Sequence, residues 1–264
     1  MNTVRLKQLA QELQQKTEME QSIKTAVKRQ MHMLPDIPKV PNFQFHAMYR
    51  PASTVSGDFY DFIQVKPGII GIALADVTGH GIEAGIIMGM AKKALQIYAK
   101  GKESPKETLT ITNADLAKDL DSETFITGCY GVLDTYQCTY KYARAGHNPS
   151  YLINPNRTRT LDELKPNGMV IGVDKSGKRF PAVMVEQEIK LQTGDLLFQY
   201  TDGMVEAHDK QRNEFGEDRL KAMLLQYQHL DIVEMMDLIF EAVDMHRGAQ
   251  EQEDDITMIG FKVL

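Results

Sequence analysis

The fold of this chain is decided by residues 58–81, which read DFYDFIQVKPGIIGIALADVTGHG. Two apolar runs, residues 58–65 and 68–75, are joined by a Lys-Pro-Gly sequence that is typical of a hairpin turn. Asp76 directly follows the second run, and a glycine-rich turn then leads into a helical pattern over residues 82–99. The segment therefore predicts two paired, buried strands with a carboxylate at the end of the second.

The same alternation of short strands and turns continues on both sides of this hairpin. Most predicted strands come in adjacent pairs and do not alternate with helices, which favours antiparallel sheets with helices outside them. The sequence therefore predicts an α+β fold. The other predicted strands cover residues 43–49, 125–133, 138–142, 150–153, 183–191, 195–200 (with Gln192-Thr193-Gly194 as the turn before it) and 256–263, and the other helices cover 104–119, 217–227 and 231–246.

Residues 1–34 are predicted to form an N-terminal helix, residues 35–42 a proline-rich connector, and residues 43–264 one folded domain. Six apolar residues of the helix follow the 3-4 spacing of a coiled-coil seam, while Lys16, Glu20 and Gln30 interrupt it. A stalk that dimerises or transmits a signal and a lone helix packed on its own domain are both compatible with this pattern. The six apolar residues are Leu6, Leu9, Leu13, Ile23, Val27 and Leu34.

The composition excludes several classes of protein. The 264 residues carry a net charge of −6 without a long basic run, so nucleic acid and anionic membranes are not expected partners. Cys129 and Cys138 form no CxxC motif, so neither a disulfide scaffold nor a zinc ribbon is expected. The polar start of the chain lacks the pattern of a signal peptide, and no apolar run has the length of a membrane span. We therefore expect a cytoplasmic protein.

Acidic residues recur at the edges of the predicted strands. Burying several carboxylates at one end of a sheet requires cations there, and with few nearby His or Cys ligands these should be Mg²⁺ or Mn²⁺. This pattern points to two-metal phosphate chemistry. Each position also has a structural interpretation, as a helix cap, a turn or a solvated loop. The residues are Asp58, Asp76, Asp202, Asp254 and Asp255.

Together and in this order, the motifs resemble the metal-dependent protein phosphatases of the 2C type. The likeness is closest to their bacterial branch, which acts on anti-sigma-factor antagonists in stress response and sporulation, and it extends over residues 20–264. The motifs that carry it are Met33-Leu34-Pro35, Tyr49-Arg50-Pro51-Ala52, residues 56–62 and 76–81, Ala145-Gly146-His147-Asn148-Pro149, and residues 194–197, 200–207 and 254–257.

The resemblance implies an α-β-β-α sandwich with two divalent cations, Mn²⁺ or Mg²⁺, at one end of its sheets. It implies that Asp76 bridges both cations, that the Val77 carbonyl binds one, and that Asp58 contacts one directly or through water. Asp202 and Asp254 would hold the other cation. Asp255 is the alternative to Asp254, although a supporting role suits it better.

The resemblance further implies attack of a metal-activated water on phosphoserine or phosphothreonine of a regulatory protein, such as a STAS-type anti-sigma-factor antagonist. Larger relatives carry a histidine where this chain has Thr78, so His80 is a candidate proton donor or a structural residue. An activating partner protein and a homodimer formed by the N-terminal helix are also expected. Two alternatives stay open, namely a non-catalytic binding module of the same fold and a hydrolase of small phosphoesters.

Overall fold

The structure of this protein is a computed structural model that describes residues 2–52 and 55–264. Within the first helix, the side chains of residues 2–4, 6–8 and 10 are outside this description, which includes Leu6 of the predicted seam. Met1 of the predicted helix is likewise outside the described residues. None of the helices in the described part combines the length and apolar character needed to cross a membrane.

Ten strands and six helices make up the described part of the chain. In chain order they are α1 (Asn2–Met31), β1 (Phe43–Arg50), β2 (Phe59–Lys66), β3 (Ile69–Val77), α2 (Ile82–Ala99), α3 (Pro105–Leu116), β4 (Ile126–Asp134), β5 (Thr139–Ala145), β6 (Ser150–Ile153), β7 (Leu161–Leu164), α4 (Arg179–Val183), β8 (Glu186–Lys190), β9 (Leu196–Tyr200), α5 (Glu217–Tyr227), α6 (Ile232–Arg247) and β10 (Ile256–Val263).

The strands form two antiparallel sheets that pack face to face. Sheet A has the order β1-β10-β9-β6-β7, and sheet B has the order β2-β3-β4-β5-β8. Helices α2 and α3 cover the outer face of sheet B, while α5 and α6 cover the outer face of sheet A. A third apolar cluster fills the space between the sheets. This arrangement confirms the predicted α-β-β-α sandwich.

Strand β3 shows how the sequence places these layers. Ile72 and Leu74 point into the space between the sheets, while Ala73 and Ala75 point toward the helices. Because successive side chains of a strand alternate between its two faces, one apolar run supplies both cores. Small side chains on the outer face let α2 lie close to the sheet.

The helix ends follow local signals that the sequence predicts. The Ser104 hydroxyl accepts a hydrogen bond from the Glu107 amide at the start of α3. The Asp231 carboxylate accepts from the amides of Val233 and Glu234 at the start of α6, and Gly248 ends that helix with a φ of 60°. The first helix ends at Met31, which is three residues before the predicted boundary.

The prediction of one strand over residues 183–191 is wrong in part. This region contains the end of α4 and then β8, and the turn after β8 does not join two paired strands. Strand β8 pairs with β5 in sheet B, whereas β9 lies between β6 and β10 in sheet A. In the turn that crosses between the sheets, buried Asp195 accepts hydrogen bonds from the Gln192 amide and from the Arg157 guanidinium.

Candidate metal centre

Two of the predicted ligands lie side by side in sheet B. The register of β2 and β3 pairs Phe59 with Ala75, so Asp58 lies opposite Asp76 at the same end of the sheet. Asp58 is only 2% exposed, and burial together with the charge of the neighbouring Asp76 raises the pKa of its carboxyl group. The hairpin predicted from the sequence therefore brings the first two carboxylates together.

The other two predicted ligands come from sheet A. Asp202 begins a 3₁₀ turn directly after β9, and Asp254 lies just before β10, which is the neighbour of β9 in the sheet. A Cβ atom at Gly203 would lie 2.1 Å from the Asp255 carbonyl oxygen. Glycine at this position therefore lets the two loops approach, which explains the Asp-Gly sequence.

The electrostatics show that the four carboxylates share one environment. Burial, followed by the charges of Asp202 and Asp254, raises the pKa of Asp76 to about 8. Burial and the charge of Asp76 raise the pKa of Asp58 well above its usual range. Burial also raises the pKa of both Asp202 and Asp254. Because each shift disfavours the charged form, gathering these four carboxylates is electrostatically unfavourable unless a cation neutralises them.

The oxygen atoms of the four carboxylates are ligands that suit divalent cations. In the described residues, none of the four carboxylates forms an ion pair with a lysine or arginine. An all-oxygen donor set of this kind suits Mg²⁺ or Mn²⁺. Across the same residues, no three acidic, histidine or cysteine side chains are close enough to chelate one ion as they stand. Binding would therefore draw these side chains closer together.

Asp255 forms structural hydrogen bonds through both of its carboxylate oxygens, unlike the adjacent Asp254. Its Oδ1 accepts a hydrogen bond from the Ala52 amide at 2.7 Å, and its Oδ2 accepts from the Ser56 hydroxyl at 2.6 Å and from the Gly57 amide at 2.9 Å. Because both carboxylate oxygens of Asp255 accept hydrogen bonds, Asp255 holds the segment before Asp58 in place. Of the two adjacent acids, this leaves Asp254 as the candidate ligand.

The remaining predicted site residues lie on the turn after β3. A Cβ atom at Gly57 would lie 2.8 Å from the Val77 carbonyl oxygen, so glycine keeps the surroundings of that oxygen open. The Thr78 hydroxyl donates to the Phe125 carbonyl and accepts from the Phe125 amide, so its role is structural. His80 is exposed and has no hydrogen-bond partner among the described residues.

His147, from the motif Ala145-Gly146-His147-Asn148-Pro149, is buried close to the candidate ligands. Its Nε2 donates to the Tyr200 carbonyl at 3.1 Å, which requires Nδ1 to accept from the Thr127 hydroxyl at 2.7 Å. Thr127 pairs with Asp76, and Tyr200 ends the strand that precedes Asp202. The buried imidazole therefore connects the two sheets beneath the candidate site. Burial lowers its pKa to about 4, so it is neutral.

Comparison with known proteins identifies the family. The family model for stage II sporulation protein E (SpoIIE) matches residues 66–264. The chain belongs to the SpoIIE family. This assignment confirms the resemblance predicted from the motifs.

Among curated relatives, this SpoIIE-family chain is 27% identical to protein IcfG of Synechocystis sp., over 92% of its own length and 43% of IcfG. It is 28% identical to phosphoserine phosphatase RsbU of Bacillus subtilis, over 84% of its own length and 64% of RsbU. The chain thus spans less than two thirds of either relative.

Among solved structures, the SiaA-PP2C domain of Pseudomonas aeruginosa superposes with a TM-score of 0.81 at 22% identity, covering 94% of this chain and 98% of that domain. At this level of identity, the match establishes the fold.

Proposed function

We propose that this protein is a Mg²⁺- or Mn²⁺-dependent phosphatase that removes phosphate from serine or threonine of a regulatory protein. One observation carries the proposal, namely that four carboxylates from separate segments lie within electrostatic range of each other at one end of the sandwich, and none of them pairs with a lysine or arginine in the described residues. The similarity to a protein named phosphoserine phosphatase supports the same conclusion.

In this proposal, Asp76 would be a ligand of both cations. Asp58 and the Val77 carbonyl would help to hold one of them, and Asp202 and Asp254 would help to hold the other. When bound, the cations would lower the pKa of water to give a nucleophile at neutral pH and would neutralise charge on phosphoryl oxygens. The chain itself supplies rigid strand ends that hold the carboxylates in place.

The surroundings of the cluster support a protein substrate. A groove beside the cluster is lined by the turn of residues 78–80 and by Glu83, Ile86 and Ile87 of α2. Although partial burial of its carboxylate raises the pKa of Asp254, the residue as a whole is exposed, so a phosphorylated side chain on the surface of another protein can reach the cluster. His80 lies on this groove and would protonate the serine oxygen that leaves.

The proposed substrate class is a phosphorylated STAS-type anti-sigma-factor antagonist, with a separate protein as activator. This choice rests on the family assignment and on the likeness to RsbU. A substrate of this class predicts a much higher kcat/KM for the folded phosphoprotein than for a free phosphoester such as p-nitrophenyl phosphate.

Substitution of the central aspartate tests the function. We expect Asp76→Asn to abolish Mn²⁺-dependent release of phosphate from a phosphoserine protein and from p-nitrophenyl phosphate while the protein stays folded. Asp218→Asn, which alters an exposed carboxylate on α5, is the matched control and should keep full activity. Undiminished turnover by Asp76→Asn would contradict the proposal. Wild-type protein that binds its partner without releasing phosphate would favour a non-catalytic module.

A further inference from the structure

Two buried threonines of sheet A contact one oxygen of Asp58 in sheet B. The Thr201 hydroxyl donates to Oδ2 of Asp58 at 2.8 Å, and the Thr257 hydroxyl donates to the same oxygen at 2.5 Å. Both threonines are fully buried, with exposed fractions of 0%. They therefore bridge the gap between the sheets at the candidate metal centre.

The threonines lie opposite each other at the ends of neighbouring strands. The Thr201 amide donates to the Thr257 carbonyl at 3.0 Å, and the Thr257 amide donates to the Thr201 hydroxyl oxygen at 2.9 Å. Thr201 directly precedes Asp202, and Thr257 follows Asp254 by three residues. Both hydroxyls thus connect Asp58 to the strand ends that carry the opposite carboxylates.

The two carboxylate oxygens of Asp58 differ in their contacts with the threonines. Oδ2 accepts both threonine hydroxyls, whereas neither threonine donates to Oδ1. Two donors on one oxygen also fix the rotation of the carboxylate plane.

We propose that Thr201 and Thr257 are positioning residues that hold Asp58 so that it offers only Oδ1 to a divalent cation. This inference rests on the proposed function, because it assigns a role around the same site. The hydroxyls themselves touch neither cation nor substrate. Their loss would leave Asp58 free to rotate and would remove two donors from a buried carboxylate.

Thr257 gives the cleaner test of the two. The Thr201 hydroxyl also accepts from the Thr257 amide, so Thr201→Val would leave a buried amide without a partner. The Thr257 hydroxyl makes a single hydrogen bond in the described residues, to Asp58. Thr257→Val therefore removes one donor at nearly constant shape, and Thr257→Ser restores it.

The matched control is a buried threonine far from the cluster. The Thr112 hydroxyl donates to the Thr108 carbonyl within α3, and its side chain is 1% exposed. Thr112→Val thus removes a buried hydroxyl of the same kind without changing any contact of Asp58. Its metal affinity should equal that of the wild type.

Calorimetric titration of Mn²⁺ into the metal-free full chain tests the inference without an activity assay. We expect Thr257→Val to bind Mn²⁺ about tenfold to 100-fold more weakly, as is usual for residues that orient a metal ligand. Thr257→Ser should stay within about threefold of the wild type if the hydroxyl is the group that matters. Thermal unfolding of each metal-free variant shows whether it is folded.

The outcomes separate this inference from the proposed function. Equal Mn²⁺ affinity of folded Thr257→Val and wild type would overturn the inference alone. A wild-type chain that binds neither Mn²⁺ nor Mg²⁺ would overturn the proposed metal centre itself. If Thr257→Val does not fold, a crystal structure of the Mn²⁺-loaded wild type decides. Asp58 bound through Oδ1, with both threonines still on Oδ2, supports the inference, and a bidentate Asp58 refutes it.

Discussion

Gly57 contributes to the candidate site by having no side chain. Its Cα lies so close to the turn after β3 that a Cβ atom would be 2.8 Å from the Val77 carbonyl oxygen and 3.5 Å from Oδ1 of Asp76. Real Cβ atoms essentially never approach backbone oxygen as closely as the first distance. The backbone around a predicted ligand therefore depends on glycine at this position.

We expect Gly57→Ala to weaken Mn²⁺ binding and to lower kcat/KM, because the Val77 carbonyl must move away from the added methyl group. Calorimetry and a phosphatase assay measure the two effects. Gly89→Ala is the control, since its Cβ would meet only the Met33 side chain at 3.5 Å, an ordinary contact. Unchanged Mn²⁺ affinity in Gly57→Ala would show that the carbonyl is not a ligand.

His147 predicts a pH dependence of stability. Its pKa falls from 6.5 to about 4 on folding because burial disfavours the charged ring. The unfolded chain therefore binds the proton more readily, so the contribution of His147 is complete above pH 6.5 and is lost as the pH falls toward 4. Between pH 6.5 and pH 5 the loss should be about 1 to 2 kcal/mol.

Denaturant unfolding of the wild type and of His147→Gln checks this expectation. The stability difference between the two proteins should shrink by that amount on going from pH 6.5 to pH 5, because glutamine does not titrate. The comparison cancels the opposite contribution of the acidic cluster, whose raised pKa values favour the folded state at low pH. A pH-independent difference would show that His147 is not buried in its neutral form.

At the scale of elements, α1 contacts the rest of the chain at a defined point, through Gln30. Gln30 is 6% exposed, its Nε2 donates to the Ser56 carbonyl at 2.7 Å, and its Oε1 accepts from the Ser56 amide at 3.0 Å. By contrast, Leu9 and Leu13 on the same helix are 54% and 67% exposed. Gln30 thus holds the end of the helix beside the segment that leads to Asp58, while Leu9 and Leu13 face outward and Ile23 and Val27 are half-buried.

The dimer hypothesis predicts that the full chain is a dimer and that removal of residues 1–20 yields a monomer. This truncation deletes the first seam leucines and keeps Gln30, so the contact with Ser56 and the thermal stability of the domain should persist. Light scattering gives the mass of both proteins. A full chain of monomer mass, or a truncated chain that is still dimeric, would eliminate the seam as the dimer interface.

At the scale of the whole molecule, local signals predict more than long-range pairings do. The hairpin of β2 and β3, the cap at Ser104 and the cap at Asp231 depend on residues close in sequence, and the structure has all three. The insertion of β9 between β6 and β10 depends on contacts between distant segments. The residues of the turn do not specify which sheet β9 joins. The crossover after β8 therefore cannot be predicted from the sequence of the turn.

In the candidate site, too, local features are predictable from the sequence and long-range contacts are not. The aspartates are recognisable in the sequence because each lies at or near the edge of an apolar run, where burying a carboxylate is costly unless a cation neutralises it. Thr201, Thr257 and Gly57 are not recognisable, because their contacts exist only once the two sheets are aligned. The family assignment is established by the match to the SpoIIE model, whereas the domain boundaries and ligand roles stay predictions.

Anomalous diffraction at the manganese edge, from crystals of the wild-type protein grown with Mn²⁺, tests the central claim most directly. The account predicts two manganese peaks on either side of Asp76, one next to Asp58 and the Val77 carbonyl and the other next to Asp202 and Asp254. Crystals that show no manganese among these residues, or manganese bound only elsewhere, would contradict it.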